Sequence, residues 1–437
     1  MDRFRRHRTA WIVVAVALFV AGCGRPEGVL VPFQDPVTGT DVVDMVVATT
    51  RVPDEEDPGF LYSGERGEMS FAEISVSIPP DSARKTGEIQ WPSKMPPDPT
   101  RDFVTLKADR IDEAQAFGRV NAMARKVPSR HVLVFIHGYN NRFESAVYRL
   151  AQIVHDSRAP VVPVLFTWPS RGTLFAYTYD RESANYSRDA LEKLLSRLAK
   201  DGSVDSISIL SHSMGNWVTL EALRQMAIRN GHIATKIHDV ILAAPDVDVD
   251  VFRTQVAAFG EPRPNFTMFV SRRDKALAAS RRVWGGKPRI GAIDPTEEPY
   301  QEELREVGFA VVDLTDEKSS DALGHNTFAA SPDAVRLIGM QLATGQDLNT
   351  FDVGLGERVG ELATATGANI GAAAGLIVTA PIAIVDPQTR DTYDDRLEGL
   401  GNSVRDTLES AAELPSSVVD DQGRPVADQH PVDALSD

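Results

Sequence analysis

The sequence predicts an α/β fold, a mostly parallel sheet with helices on both faces, preceded by a strand-rich N-terminal region. Two observations point there. Short, nearly continuous apolar runs recur through the middle of the chain, and stretches with apolar residues at helical spacing separate them. Strands covered on both faces read as unbroken apolar runs, because neither side meets water. With 437 residues the chain is long enough to bury a large core.

The runs are "VLVFI" (132–136), "VVPVLF" (161–166), "SISIL" (206–210), "DVILAA" (239–244), "FTMFV" (266–270) and "GFAVVDL" (308–314). Between them, "RFESAVYRLAQIVHDS", "SRDALEKLLSRLAK" and "WVTLEALRQMAIRN" predict amphipathic helices. In such a sheet, reactive groups belong on loops after the strands' C-terminal ends. Upstream, "DVVDMVVATTRVP", "FAEISVSIPP" and "DFVTLKADRI" alternate or are β-branched and are broken by Gly and Pro, which predicts strands. The expected organisation is a signal peptide over 1–22, a tether over 23–40, the strand-rich region over 41–127 and an α/β core over 128–345. A Gly/Ala-rich helical region over 346–385 and an acidic tail over 386–437 complete it.

The opening "MDRFRRHRTAWIVVAVALFVAGC" has four arginines, then an uncharged run from Ala10 to Gly22, then the only cysteine. That run is short for a membrane span and suits a secretory signal. Val20, Ala21 and Gly22 before Cys23 resemble the bacterial lipobox, in which small residues admit a peptidase that cuts before a cysteine to be lipidated. Cys23 is therefore the expected lipid-attachment site, and Gly24 resembles the residue that follows the cysteine in lipoproteins of the outer membrane. A periplasm-facing, lipid-anchored protein of the cell envelope is expected. A single cysteine allows no internal disulfide, so export rests on the signal alone.

Residues 1–22 carry four arginines and one aspartate, net +3, so their removal changes the formal charge from −16 to −19. Such a surface repels polyanions, which argues against nucleic-acid partners. No zinc-type Cys/His spacing, phosphate-cradling "GxxxxGK" loop or internal repeat is present, and neither a metal nor a cofactor is expected. The stretch Leu362 to Val385 is uncharged but only weakly apolar, and reads best as a helix lying on the domain. The last 52 residues hold 13 acidic residues and four arginines and are expected to be solvated.

Chemistry concentrates in "LSHSMGNW" (210–217), which places a sharp turn between an apolar run and a helical stretch. A serine hydroxyl becomes a useful nucleophile when it projects from a tight turn toward a base, and residues two positions away must be small. Ser211 and Gly215 flank Ser213 in this way, so Ser213 is the candidate nucleophile. His212, beside it, is expected to face away and to serve packing. The loop "HGYNN" after "VLVFI" can offer a backbone donor to a developing oxyanion, and the N–H groups of Tyr139 and Met214 are assigned to that role. Trp168, Tyr177 and Tyr179 are candidates for pocket walls, since they follow the run "VVPVLF".

Over about residues 130–330 the chain resembles the alpha/beta-hydrolase superfamily, and within it a bacterial esterase/lipase-like group of lipoproteins long catalogued as a hydrolase of unknown function. The resemblance rests on "VFIHGYNN", "FTWPSRG", "YDRESANYSRDAL", "LSHSMGNW", "LAAPDVDVDVF", "SRRDKALAAS" and "LGHNTF". The first glycine of the usual G-x-S-x-G elbow is Ser211 here. The resemblance implies a triad in the order Ser, Asp, His. Of the nine histidines only His232, His238, His325 and His430 follow Ser213. His232 and His238 come too early to follow an acid and His430 lies in the tail, so His325 is the expected general base. Asp274, after "FTMFV", is the favoured acid, with Asp246, Asp248 and Asp250 as alternatives.

The expected activity is hydrolysis of short or medium acyl esters by an acyl-enzyme route, with a small-molecule or lipid ester as substrate. Amidase or thioesterase chemistry would use the same residues. The rival from another class is a non-catalytic envelope lipoprotein that uses the fold as a binding or scaffolding module.

Overall fold

A computed structural model describes residues 28–344, apart from 58, 284, 285, 318–320 and 322. The expected signal peptide, Cys23, the Gly/Ala-rich stretch and the acidic tail lie outside the described residues. No helix among the described residues is long and apolar enough to cross a membrane.

Nine strands form one sheet in the order β3-β2-β1-β5-β4-β6-β7-β8-β9. The N-terminal strands are β1 (Asp41–Pro53), β2 (Tyr62–Ile78) and β3 (Val104–Ile111). They pair antiparallel with each other, and β1 joins the remaining strands through a parallel ladder to β5. The strand-rich region therefore extends the same sheet. The apolar runs of the core become β4 (His131–Ile136), β5 (Val162–Thr167), β6 (Ser206–His212), β7 (Ile237–Ala243), β8 (Asn265–Val270) and β9 (Phe309–Asp313), all paired in parallel.

Successive side chains of a strand point to opposite faces, so each continuous run feeds two cores. Val132, Val134 and Ile136 of β4 join the core on one face, while Leu133 and Phe135 join the other. The first face is covered by α1 (Glu113–Ala124), α3 (Tyr177–Lys200), α4 (Gly215–Asn230) and α5 (Val249–Val256), through Phe117, Leu191, Leu195, Val218 and Phe252. On the second, α2 (Phe143–Ser157) supplies Phe143, Leu150 and Ile153. Leu337 and Ile338 are added by α9 (Pro332–Thr344). Short helices α6 (Lys275–Val283), α7 (Tyr300–Glu306) and α8 (Thr327–Ala330) lie in the connections after β8 and β9.

Helix α3 begins ten residues before its apolar spacing does. Its first turns bury Asp180, Ser183, Ala184 and Ser187 instead of leucines. Ser187 Oγ lies 2.8 Å from Thr50 Oγ1 of β1, and Ser183 Oγ accepts from Arg66 Nε. A face buried through hydroxyls leaves no hydrophobic period to read.

Strand β4 lies between β5 and β6, and the chain leaves it through α2 on one face and reaches β6 through α3 on the other. The order of strands reverses there, which opens a crevice at the C-terminal ends of β4 and β6. Nearby helices pack closely: a Cβ at Gly339 of α9 would overlap the Ser157 carbonyl at the end of α2. Gly339→Ala is predicted to destabilise the fold by about 1–3 kcal/mol through overpacking, read as a lower urea midpoint at unchanged m value.

Candidate active site

Ser213 follows β6 directly and carries φ +53°, in the left-handed region that side chains other than glycine rarely adopt. Its N–H donates to the Ala243 carbonyl at the end of β7, and its own carbonyl accepts from Asp246 N–H. The turn is possible because its neighbours lack bulk. A Cβ on Gly215 would overlap the His137 carbonyl, and a Cβ on Gly138 would sit 2.7 Å from Ser213 Cβ. Ser211, at the position of the usual first glycine, is fully buried and donates from Oγ to Asn216 Oδ1 at 2.6 Å. Asn216 Nδ2 then donates to the carbonyls of Ser213 and Ala243, both at 3.0 Å. The serine substitution thus adds a polar brace beneath the elbow, and Asn216 is a partner that no sequence pattern indicated.

His325 and Asp274 come from different loops and meet at 2.6 Å, with His325 Nδ1 donating to Asp274 Oδ2. Asp274 is buried, and its second oxygen accepts from Leu277 N–H at the start of α6. Asp321 Oδ2 accepts from the N–H groups of His325 and Asn326, which fixes the loop that carries the histidine. Burial alone would lower the His325 pKa, but the hydrogen bond and charge of Asp274 outweigh it, and the net result is above the ordinary value. The three alternative acids are used elsewhere. Asp246 accepts from Tyr177 Oη and Ser280 Oγ, Asp248 caps α5, and Asp250 pairs with Arg253 and Lys287.

His212 packs under the histidine loop, in keeping with the packing role expected for it. Its ring stacks on Phe328 at 4.7 Å and meets the His325 ring at a tilt at 4.7 Å, and its Nε2 donates to the His325 carbonyl at 3.1 Å. Burial first, and His325 next, hold it well below the ordinary imidazole pKa, so it supports the loop as a neutral ring. Ser213 and His325 thus flank one imidazole, Ser213 by sequence and His325 by contact. The hydrogen bonds among the described residues do not include one from Ser213 Oγ to His325; such bonds often tighten only when substrate is bound.

The loop after β4 is held by buried polar groups. Asn140, at φ +57°, donates its N–H to Asp180, which also accepts from Ser170 Oγ and Arg171 N–H. Burial raises the Asp180 pKa against these bonds. Arg51 of β1, 1% exposed, donates to the carbonyls of Ser63, Ser170 and Asn141 and to Thr167 Oγ1. Burial lowers its pKa to about 10, so it stays charged at neutral pH. His137 bonds to Thr167 Oγ1 and to the Gly138 carbonyl, and burial, then Arg51, push it down to about 3. The backbone N–H groups of Tyr139 and Met214 donate to no other described residue, leaving them available to an oxyanion.

The three aromatic candidates separate. Trp168 is fully buried, stacks on His137 at 4.9 Å and donates to its carbonyl, so it braces the loop. Tyr179 turns toward the N-terminal strands, where it bonds Gly64 and Glu65 and carries the Arg171 guanidinium 3.7 Å above its ring. Tyr177 lines a narrow pocket with Arg181, Met214, Trp217, Asp246 and Arg289, and its ring lies 5.0 Å from that of Tyr139. Among the described residues no group of three or more His, Cys, Asp or Glu side chains could hold a metal ion.

Comparison with known proteins agrees with this fold. An uncharacterized protein of Nostoc sp. is 24% identical over 29% of this chain and 40% of its own length, so the chain spans less than half of that relative. The profile of the family described as "Alpha/beta hydrolase of unknown function (DUF900)" matches residues 112–341, which run from the cap of α1 into α9 and contain Ser213, Asp274 and His325. The chain belongs to that alpha/beta-hydrolase family.

Proposed function

We propose that this protein is a serine hydrolase that cleaves carboxylic esters of short or medium acyl chains through an acyl-enzyme. The observation that carries the reading is the Asp274–His325 hydrogen bond at the same sheet edge as the strained turn of Ser213. Ser213 Oγ bonds to the ester carbonyl carbon while its proton passes to His325 Nε2, and Asp274 holds the ring in the required tautomer. The N–H groups of Tyr139 and Met214 meet the negative oxygen. Collapse expels the alcohol with the proton from His325. Water then attacks the acyl carbon, gives its proton to His325, and Ser213 departs with that proton as the acid is released. These steps need neither a metal nor a cofactor.

The reading extends to location. The basic, apolar and small-residue order before Cys23 supports a lipid anchor on that cysteine and a place in the cell envelope, with the domain facing the periplasm. Cys23→Ser is expected to remove labelling by a clickable fatty acid and to leave the signal uncleaved. Unchanged labelling and migration would refute the anchor.

Substrate length follows from the segment "KALAASRRVWGGKPRIGAIDPTEEPYQEELREVG", which is charged and broken by Gly and Pro where an oil-droplet lipase would carry an apolar lid. Each buried methylene adds about 0.8 kcal/mol until the pocket is full. p-Nitrophenyl acetate, butyrate or octanoate should be cleaved faster than palmitate, and Ser213→Ala should abolish both turnover and fluorophosphonate labelling. Faster palmitate cleavage would point to a lipase, and a folded wild type that neither labels nor cleaves any ester, thioester or amide would favour the scaffold role.

The pH profile tests the base. A base must be neutral to act, so with the His325 pKa raised the rate should fall as pH drops through a value above the ordinary 6.5. Asp274→Asn removes the main interaction that raises it and leaves the burial that lowers it, with Asp246 and Asp321 still raising it, so the acid limb of kcat/KM should move to lower pH. Turnover should drop by about 10⁴ as the tautomer is lost. A limb that stays in place would exclude His325 as the titrating group.

A further inference from the structure

The sheet edge that carries Ser213 and His325 also carries the three most exposed large apolar side chains among the described residues. These are Phe175 at 100%, Leu174 at 69% and Val283 at 68%. They come from separate connections. Leu174 and Phe175 open a one-turn 3-10 helix after β5, and Val283 ends α6 after β8. Leu323, two residues before His325, is also exposed. Contacts at the active site link the three segments. Tyr139 Oη donates to the Leu174 carbonyl, the Tyr139 and Tyr177 rings lie 5.0 Å apart, and Tyr177 Oη is 3.2 Å from Ser280 Oγ of α6. Lys275 N–H at the start of α6 donates to the Leu323 carbonyl at 3.0 Å. These apolar side chains therefore stand around the crevice.

A single exposed leucine is ordinary, because a protein has too little polar surface to cover itself. A phenylalanine in full contact with water beside a leucine is not explained that way, and apolar side chains grouped on one side mark a contact surface. Charge indicates which kind. Helix α6 carries Lys275, Arg281 and Arg282, all exposed, and no acidic residue, in a protein of formal charge −16. Apolar side chains flanked by Lys and Arg suit a membrane interface, with the apolar groups among acyl chains and the cations at headgroup phosphates. The start of the described chain points the same way. Strand β1 runs parallel to β5, so the β1–β2 turn leaves the sheet at the same edge as the reactive loops. A Cβ at Gly59 in that turn would lie 2.9 Å from Gly28 Cα. Gly28 follows Cys23 by five residues, a span of about 18 Å at most, so a lipid on Cys23 would hold this edge near a bilayer. The turn itself carries Asp54, Glu55, Glu56 and Asp57, which leaves headgroup contact to α6 toward the other end of the edge.

We propose that the rim of the crevice seats on a phospholipid bilayer, with Leu174 and Phe175 entering its apolar layer and Lys275, Arg281 and Arg282 meeting headgroup phosphates. The inference rests on the ester-hydrolase reading for its consequence and deepens it, since the ester then reaches Ser213 from the lipid phase, where esters of medium chain length concentrate. The segment after Asp274, too charged for an apolar lid, has the composition to face headgroups. The rim side chains touch the bilayer and not the ester, and the bond-making steps remain with Ser213 and His325.

Two measurements test it, the first independent of the chemistry. The full chain carrying Ser213→Ala is reconstituted with vesicles of phosphatidylethanolamine and phosphatidylglycerol. An environment-sensitive fluorophore is placed on a cysteine introduced by Phe175→Cys, by Val283→Cys or, near the opposite sheet edge, by Ile228→Cys. Ile228 is a matched control, being 62% exposed at the far end of α4. Protein without the introduced cysteine, labelled in parallel, gives the contribution of Cys23. Doxyl-labelled lipid should quench the fluorophore at positions 175 and 283 at least about threefold more than at 228. In the second measurement, Leu174→Ser combined with Phe175→Ser should slow cleavage of p-nitrophenyl octanoate held in vesicles by about tenfold and leave soluble p-nitrophenyl acetate unchanged. If that double variant loses its circular dichroism, Val283→Ser gives the same comparison from another connection. Lipid quenching at 175 in a protein inert to every ester would uphold the membrane surface and refute the hydrolase reading. Normal ester turnover with equal quenching at 175 and 228 would overturn the surface and leave the hydrolase reading standing. A fluorophore at 175 that is shielded from aqueous iodide but not quenched by lipid would also overturn it, and would give the patch a protein partner.

Discussion

The left-handed backbone at Ser213 is the constraint around which the rest of the site is arranged. A serine at φ +53° costs on the order of 1–3 kcal/mol, which the surroundings must offset. They do so through contact and hydrogen bonding together. Gly138 and Gly215 let the β4 loop and the start of α4 close on the turn to distances that no Cβ would permit. Asn216 ties the carbonyls of Ser213 and Ala243 together, and Ser211 orients Asn216. The parallel ladders of β6 with β4 and β7 bring these pieces to one edge.

A second set of interactions makes that edge rigid. Arg51 reaches from β1 across β5 to the loops after β4 and β5, so the N-terminal strands are coupled to the site through a buried charge. Asp180 serves the same loops from helix α3. Breaking a buried, hydrogen-bonded charge leaves its partners desolvated and unpaired, which is far more costly than losing an exposed ion pair. The antiparallel extension β1–β3 is thus part of what shapes the candidate site, although it contributes no reacting group.

Much of this was legible in the sequence, and the reasons differ by residue. The six core strands could be read because burial on both faces forces apolar runs. Ser213, Asp274 and His325 stood out through local patterns and chain order, and the 2.6 Å contact brings the last two together. The packing role of His212 was legible, but its partner was not, because the His325 loop arrives 113 residues later in the chain. Trp168 was a candidate pocket residue because it follows a strand, and its contact with His137 at 4.9 Å could not be read from the sequence. Arg51 gave no signal, and Asp180 and Asn216 lie within motifs that did not show what those residues hold. Polar residues buried by their partners have no period, and a charged one such as Arg51 looks in a linear reading like an ordinary surface charge.

In the proposed mechanism Ser213 becomes covalently acylated during turnover. Rapid-quench peptide mass spectrometry after mixing the protein with p-nitrophenyl acetate tests it most directly. One acetyl group is expected, on Ser213, forming before steady-state release of acetate and absent in Ser213→Ala. Ester turnover with no acetylated peptide, or an acetyl group on Ser211 that persists in Ser213→Ala, would contradict it.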